Sequence, residues 1–417
     1  MWRFWWCLVL LASGGLAAQE SLPRRLLVID VDDVGVELLE EVAPPFLVSL
    51  DRSARRYDRF YTAPVCSPTR AAMNLGAYAS HPGSGCFWLI GKRSSFEMPT
   101  EGPLVPLAKV LADGGIAAHK LGKWHLAPKG DPTHPIRAGY RHYDGVIANL
   151  NKHRGYLREF EWQSTRDREP AHPGDLTASE SELAIAAMRE GVRFISLSYH
   201  AIHAPFQAVP NGDCPASDAP DFELAACMLR ALDRELARVH AVASQLGYHV
   251  ILFSDNGGVQ VLGGEKGSLH EAGIRTRMWV SGPDVVPGQD PSLVVVNDVF
   301  ATALEFFGLR RPPGVAPHSI SFLPTWQGES SRRRSVYAER FGENGGDPRA
   351  DEANWQRVAI GPRFKLRRGP EGWRLFHLPS DPEGRSDLLP ILDALALSAS
   401  EREELALLRA QLLALDA

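Results

Sequence analysis

Cys66-Ser67-Pro68-Thr69-Arg70 sets a cysteine where a helix is expected to begin, since Pro68 suits a first turn and Thr69 to Leu75 can continue it. A side chain there meets unpaired backbone N–H groups and the positive end of the helix dipole, a natural place for an anion. Asp32-Asp33 and Asp255-Asn256 offer only oxygen donors, which suits a hard cation such as Ca2+ or Mg2+ rather than zinc. Lys123 and Lys266 carry charge fit to clamp an anion, and His125 and His203 can move protons near neutral pH. Taken singly, each has an ordinary reading: a buried cysteine, a strand-end turn, solvated lysines, structural histidines. Their order along the chain joins them.

The stretch from Cys66 fits the C-x-P-x-R pattern of the sulfatases, in which an enzyme oxidises the cysteine to formylglycine. Four further stretches resemble that family in its own order. Leu27-Val28-Ile29-Asp30-Val31-Asp32-Asp33 is an apolar run ending in paired carboxylates, and Gly122-Lys123-Trp124-His125-Leu126 is similar to the G-K-W-H-L segment. His200-Ala201-Ile202-His203-Ala204-Pro205 resembles H-x-P-H-x-P, with Ile202 in place of the first proline. Phe253-Ser254-Asp255-Asn256-Gly257-Gly258 and then Glu265-Lys266-Gly267-Ser268-Leu269 resemble S-D-N-G-G and G-K-G-S-L. Weaker likeness at Ala231–Arg234 and Asp381-Pro382-Glu383 extends it over most of the chain.

The resemblance implies an alkaline-phosphatase-like fold and hydrolysis of an organic sulfate monoester, aryl or carbohydrate. Asp32, Asp33, Asp255, Asn256 and the modified Cys66 would hold the cation, with Ca2+ favoured and Mg2+ as the other candidate. One hydroxyl of the formylglycine hydrate attacks sulfur and the alcohol departs; the second loses its proton and expels sulfate, restoring the aldehyde. An unmodified Cys66 thiol lacks that second hydroxyl. Lys123 and Lys266 would clamp sulfate oxygens, Arg70 would hold the hydrate and metal shell, His203 would protonate the leaving oxygen, and His125 would orient the hydrate and accept its proton. Where the family often continues with L-T-G-R, this chain has Asn74-Leu75-Gly76-Ala77, which bears on recognition by the maturation enzyme. His200 is read as a supporting residue and His270 as a pocket residue; His119, His134, His142 and His240 are read as structural or surface residues.

These side chains need a scaffold that brings distant segments together. Leu26–Val31, Ala117–Leu121, Arg193–Tyr199 and Tyr248–Ser254 read as buried strands; Leu104–Ala112, Glu180–Arg189, Phe222–Leu246 and Val299–Phe307 read as helices. The alternation predicts an α/β fold, a large mostly parallel sheet flanked by helices. The motifs then fall at strand C-termini, where such sheets bind ligands. The polar, glycine-rich stretch from about Ser330 to Asn354 reads as a linker or surface excursion. Beyond it, Gln356–Ile360, Phe364–Arg367 and Trp373–His377 read as short antiparallel strands and Ala399–Leu415 as a final helix. The expected organisation is a signal peptide over 1–18, a catalytic domain over 19–330 and a small C-terminal α+β subdomain over 331–417.

The 417 residues carry a formal charge of −5, with 23% charged and 44% hydrophobic residues, so neither nucleic acid nor an acidic membrane is an expected partner. Expected partners are a sulfated small molecule or saccharide and a formylglycine-generating enzyme. Arg3, the apolar run through Ala12 and the small residues before Gln19 read as a secretory signal. Export to the periplasm or medium, with no membrane span after cleavage, follows. Without Cys7 and a converted Cys66, three thiols remain: Cys86, Cys214 and Cys227. The last two are the nearest pair, and a bridge or plain buried cysteines both fit. Trp88, Lys92, Arg93 and Trp162 fall in segments suited to a pocket rim. A phosphonate or phosphate monoester hydrolase of the same superfamily, or a relative that binds sulfated ligands without cleaving them, are the alternative readings.

Overall fold

The computed structural model describes residues 23–81, 97–127, 131–150, 160–210, 213–341, 355–394 and 396–414. Strand β1 (Leu26–Val31) shows how the fold is built: Leu26 and Val28 join one hydrophobic cluster, while Leu27, Ile29 and Val31 join another. Successive side chains point to opposite faces, so a run apolar throughout must be covered on both. The other strands are β2 (Arg55–Tyr61), β3 (Ala118–Gly122), β4 (His142–Val146), β5 (Trp162–Ser164), β6 (Phe194–Ser198), β7 (His249–Ser254), β8 (Arg275–Ser281), β9 (Gly288–Asp290), β10 (Val294–Val295), β11 (Val336–Arg340), β12 (Gln356–Ile360), β13 (Phe364–Gly369) and β14 (Gly372–His377).

The large sheet runs β10-β2-β8-β7-β1-β6-β3-β4-β5, with β9 beside β2. Its centre, from β7 through β4, is parallel; β8 is antiparallel to both neighbours, and β5 is antiparallel to β4. Helices Cys66–Leu75, Leu107–Asp113 and Asp298–Phe306 cover the face bearing Leu26 and Val28. Helices Pro45–Ser53, Leu176–Arg189 and Asp221–Gln245 cover the other. The doubly covered, mostly parallel sheet is the predicted one. The helix expected from Leu104 starts at Leu107, because Pro106, lacking an N–H, is its cap rather than an interior residue.

β2 was not legible as a strand: Arg55, Arg56, Asp58 and Arg59 mask it, and a register shift between Tyr57 and Phe60 breaks the alternation. Its charges are paired sideways, Arg55 with Asp290 at 2.6 Å and Asp58 with Arg277 at 3.0 Å. The linker reading of 330–354 is corrected, since β11 lies inside it, with Val336, Tyr337 and Ala338 buried. Arg332-Arg333-Arg334 raises the local polarity and hides that short apolar triplet.

Strands β11-β12-β13-β14 form an antiparallel sheet against helix Ala399–Ala414, whose Leu408 and Leu412 are buried in its core. Lys365 of β13 reaches across to Glu271 at 2.7 Å, where the Tyr61 hydroxyl also donates at 3.0 Å. Cys214 and Cys227 are disulfide-bonded. No helix among the described residues is long and apolar enough to cross a membrane. The signal reading of 1–18 and residues Cys86, Trp88, Lys92 and Arg93 lie outside the described residues.

Helix Cys66–Leu75 ends at Gly76, which has φ +59° and donates its N–H to Ala72 O at 2.8 Å. A Cβ there would lie 2.3 Å from the Ala316 Cβ. Gly76→Ala is therefore expected to destabilise the fold by roughly 2–4 kcal/mol, from left-handed strain plus overpacking. A lowered urea midpoint at unchanged slope is the readout; an unchanged midpoint would remove the steric argument.

Candidate active site

Four parallel strands end at one edge of the sheet and deliver the site. Asp32 and Asp33 follow β1, Lys123 and His125 follow β3, His200 and His203 follow β6, and Asp255 and Asn256 follow β7. Cys66 is the first residue of the helix after β2. Lys266 comes from the loop beyond β7, held where its N–H donates to Gly258 O at 2.9 Å. Gly122 allows the close approach of β3 and β6: its φ is +77°, and a Cβ would sit 2.1 Å from Ser198 O. Asp33 and His125 also adopt positive φ, 62° and 56°. Such residues cost of order 1 kcal/mol or more and concentrate at functional sites.

Cys66 Sγ lies 3.4 Å from Asp32 Oδ1 and 3.4 Å from Lys266 Nζ. Lys123 Nζ pairs with Asp32, and Lys266 Nζ with Asp33. Arg70 NH2 is 3.0 Å from Asp255 Oδ2 and 3.6 Å from Asp32 Oδ2. Asn256 Nδ2 donates to Asp33 Oδ1 at 2.6 Å. Ser67 Oγ donates to His125 O at 3.0 Å and lies 3.4 Å from His125 Nδ1. His203 Nδ1 is 2.8 Å from Ala204 O.

Asp32, Asp33, Cys66 and Asp255 each bring one ligand atom within 4.8 Å of the others, as do Asp32, Cys66 and His203. Asn256 Oδ1 is buried and has no hydrogen-bond partner among the described residues. A buried orphan acceptor beside three carboxylates fits an oxygen-seeking divalent cation.

The electrostatics follow from crowding charges out of water. Burial alone would raise the Asp32 pKa, but Lys123, His203, Arg70 and Lys266 hold it well below the usual range. Asp255 goes the other way, pushed up to about 7 by burial and by Asp32. Burial, then Asp255 and Asp32, drive the Cys66 thiol well up. Burial and Lys123 lower both His125 and His203. Burial opposes the charge on Lys266, yet Asp33 and its neighbours raise its pKa.

All the predicted site residues thus converge: Asp32, Asp33, Cys66, Arg70, Lys123, His125, His203, Asp255, Asn256 and Lys266. His200 is a brace, its Nδ1 2.6 Å from Glu180 Oε1 and its Nε2 3.1 Å from Ala148 O. His270 sits beside the site, Nδ1 2.8 Å from Glu265 Oε2, with Arg385 of the small-sheet region 3.1 Å away. His134 hydrogen-bonds the Trp124 indole N–H, while His119 and His142 meet edge to face at an interplanar angle of 85°. Trp162 lies in the edge strand β5 and donates to Arg168 O. The sequence reading missed Asp30 and Lys120, which lie beneath the site; a carboxylate and a lysine inside apolar strands were the available signal.

Residues 26–309 match the sulfatase family model. Arylsulfatase J of Mus musculus is 24% identical over 307 residues, 64% of this chain and 49% of the relative, so the chain spans about half that protein's length. Among solved structures, Ps i-CgsB in complex with k-i-k-neocarrahexaose has a TM-score of 0.76 at 22% identity, covering 89% of this chain and 90% of the other. A protein solved in complex with its substrate D-glucosamine-2-N,6-O-disulfate has a TM-score of 0.71 at 14% identity, covering 93% and 97%. These two share the fold. By the family match across two thirds of its length, with the ordered motifs converging on one crevice, the chain belongs to the sulfatase family.

Proposed function

We propose that the protein hydrolyses an organic sulfate monoester, with a carbohydrate sulfate as the leading substrate class, to an alcohol and inorganic sulfate. The observation that carries this is Cys66 at a helix N-terminus, 3.4 Å from both Lys266 Nζ and Asp32 Oδ1. It supports reading residue 66 as a nucleophile between an anion clamp and a cation site. The saccharide ligands of the two structural neighbours support the substrate class.

Converted to formylglycine by a maturation enzyme, residue 66 supplies a geminal diol as nucleophile. Bound Ca2+ supplies Lewis acidity toward the ester and the diol, held by Asp32, Asp33, Asp255, Asn256 and residue 66; Mg2+ is the second candidate. Lys123 and Lys266 bind the sulfate oxygens and stabilise charge that grows there in the transition state. His203 gives a proton to the departing oxygen, and His125, ordered by Ser67, takes one from the diol. Arg70 orients the carboxylates. Leu75 and Ala77 pack in the core, which accounts for apolar residues at these positions. Residues 19–330 carry all these groups, 331–417 form the small subdomain, and the chain is exported after removal of 1–18.

Mass spectrometry of the peptide containing Cys66, from protein co-expressed with a formylglycine-generating enzyme, is expected to show aldehyde oxygen in place of sulfur. An intact thiol, with the maturation enzyme active on a control peptide, favours sulfated-ligand binding without turnover. Lys123→Met is expected to lower kcat by roughly 10²–10³-fold on an aryl sulfate, the usual cost of one transition-state donor; a change confined to KM would contradict its role. Chelation should abolish turnover and Ca2+ should restore it better than Zn2+. With one leaving group throughout, faster cleavage of an aryl phosphonate than of the aryl sulfate would overturn the sulfatase reading.

A further inference from the structure

Central parallel strands covered on both faces are normally apolar, yet β1, β3 and β6 carry Asp30, Lys120, Ser196 and Ser198, all buried. They share one face. Asp30 is the register partner of Ser198, Lys120 of Ser196, and each lies an even number of residues from Val28, Ala118 or Phe194 in the cluster beneath helix Cys66–Leu75. Ser198 Oγ–H donates to Asp30 Oδ1 at 2.5 Å. Lys120 Nζ donates to Ser198 Oγ and lies 3.4 Å from Ser196 Oγ. Asp30 Oδ2 is 2.6 Å from Arg70 NH1. The chain therefore runs from Lys120 through Ser198 and Asp30 to Arg70, and from Arg70 to Asp255 and Asp32.

An unpaired buried ion costs several kcal/mol, so these groups persist only as a connected set. Its effect on the crevice is one of charge. A guanidinium placed solely against Asp255 and Asp32 would occupy them with its own positive charge and repel a second cation. Asp30 draws that guanidinium from below and shares its charge. We propose that Asp30, held by Lys120 through Ser198, positions Arg70 and offsets its charge, so that Asp255 and Asp32 stay available to a divalent cation. The proposal rests on reading those two carboxylates as metal ligands. Lys120, Ser198 and Asp30 are positioning residues, since they act through Arg70. Burial brings the Lys120 pKa down to about 7 against the pull of Asp30, with Arg70 from the helix lowering it and Glu180 from helix Leu176–Arg189 raising it. A lysine so placed can donate to Ser198 without adding a full charge beneath the site.

The test is calorimetric titration of Ca2+ into chelator-treated full-length protein, wild type against Asp30→Asn, Lys120→Met and Ser198→Ala, with melting temperatures of the metal-free forms alongside. Asp30→Asn is expected to weaken Ca2+ binding about tenfold, as loss of an outer support of a metal ligand does. Lys120→Met and Ser198→Ala should weaken it less, in the same direction. Lower melting temperatures with unchanged Ca2+ affinity would show a merely structural role and overturn the proposal. If Asp30→Asn does not fold, Ser198→Ala, which leaves every charge in place, decides the question by the same readout. If wild type takes up no Ca2+, the metal-dependent hydrolase reading fails separately. Crystal structures of the variants then decide the positioning: Arg70 drawn further onto Asp255 and Asp32 supports it, and an unmoved Arg70 overturns it.

Discussion

Everything near the crevice answers to one constraint: several carboxylates must sit together out of water. Two unit charges about 4 Å apart repel by roughly 4 kcal/mol at the effective dielectric of a protein interior near its surface. Asp30, Asp32, Asp33 and Asp255 are all buried, and they are interleaved with Arg70, Lys123 and Lys266 rather than set side by side. The opposite displacements of Asp32 and Asp255, one held well down and one pushed up to about 7, show the balance is local. Of these two, Asp32, paired with Lys123, keeps its charge the more firmly.

That balance needs backbone precision, which the parallel sheet provides. The strand ends carrying Asp32, Lys123 and Asp255 are fixed by neighbours in register, such as Asp30 opposite Ser198 and Phe253. The left-handed residues Asp33 and His125 then turn the chain into the crevice. Local strain at these two positions is tolerable because strands on either side determine where they begin and end.

The site was far more legible in the sequence than the sheet that bears it. Motifs such as Gly122-Lys123-Trp124-His125 were legible as contiguous strings in a family order, although each residue taken singly has an ordinary reading. β2 and β11 were not visible, because Arg55, Arg56 and Arg59 or Arg332 to Arg334 conceal apolar positions whose partners lie hundreds of residues or a whole strand away. Asp30 was visible yet read as part of an apolar run; its meaning depends on Arg70 and Ser198, which only the fold brings to it. Whether Cys214 and Cys227 pair depends on the loop leading into helix Asp221–Gln245, which spacing does not specify.

The loop bearing Lys266 is gripped from outside the large sheet. Arg385 holds Glu265 at 2.9 Å on one side of it, and Lys365 holds Glu271 at 2.7 Å on the other. Arg385 is itself presented from a turn in which Asp381 accepts the N–H groups of Arg385 and Ser386, each at 2.7 Å. For protein engineering this ties part of the crevice to the small-sheet region, because Arg385 grips the residue beside Lys266. Strand ends alone fix Asp32, Lys123 and Asp255, while Lys266 also depends on the turn at 381–386 through Arg385 and Glu265. Diversity introduced at that turn therefore reaches Lys266 as well as the surface, while the strand-borne carboxylates keep their own supports.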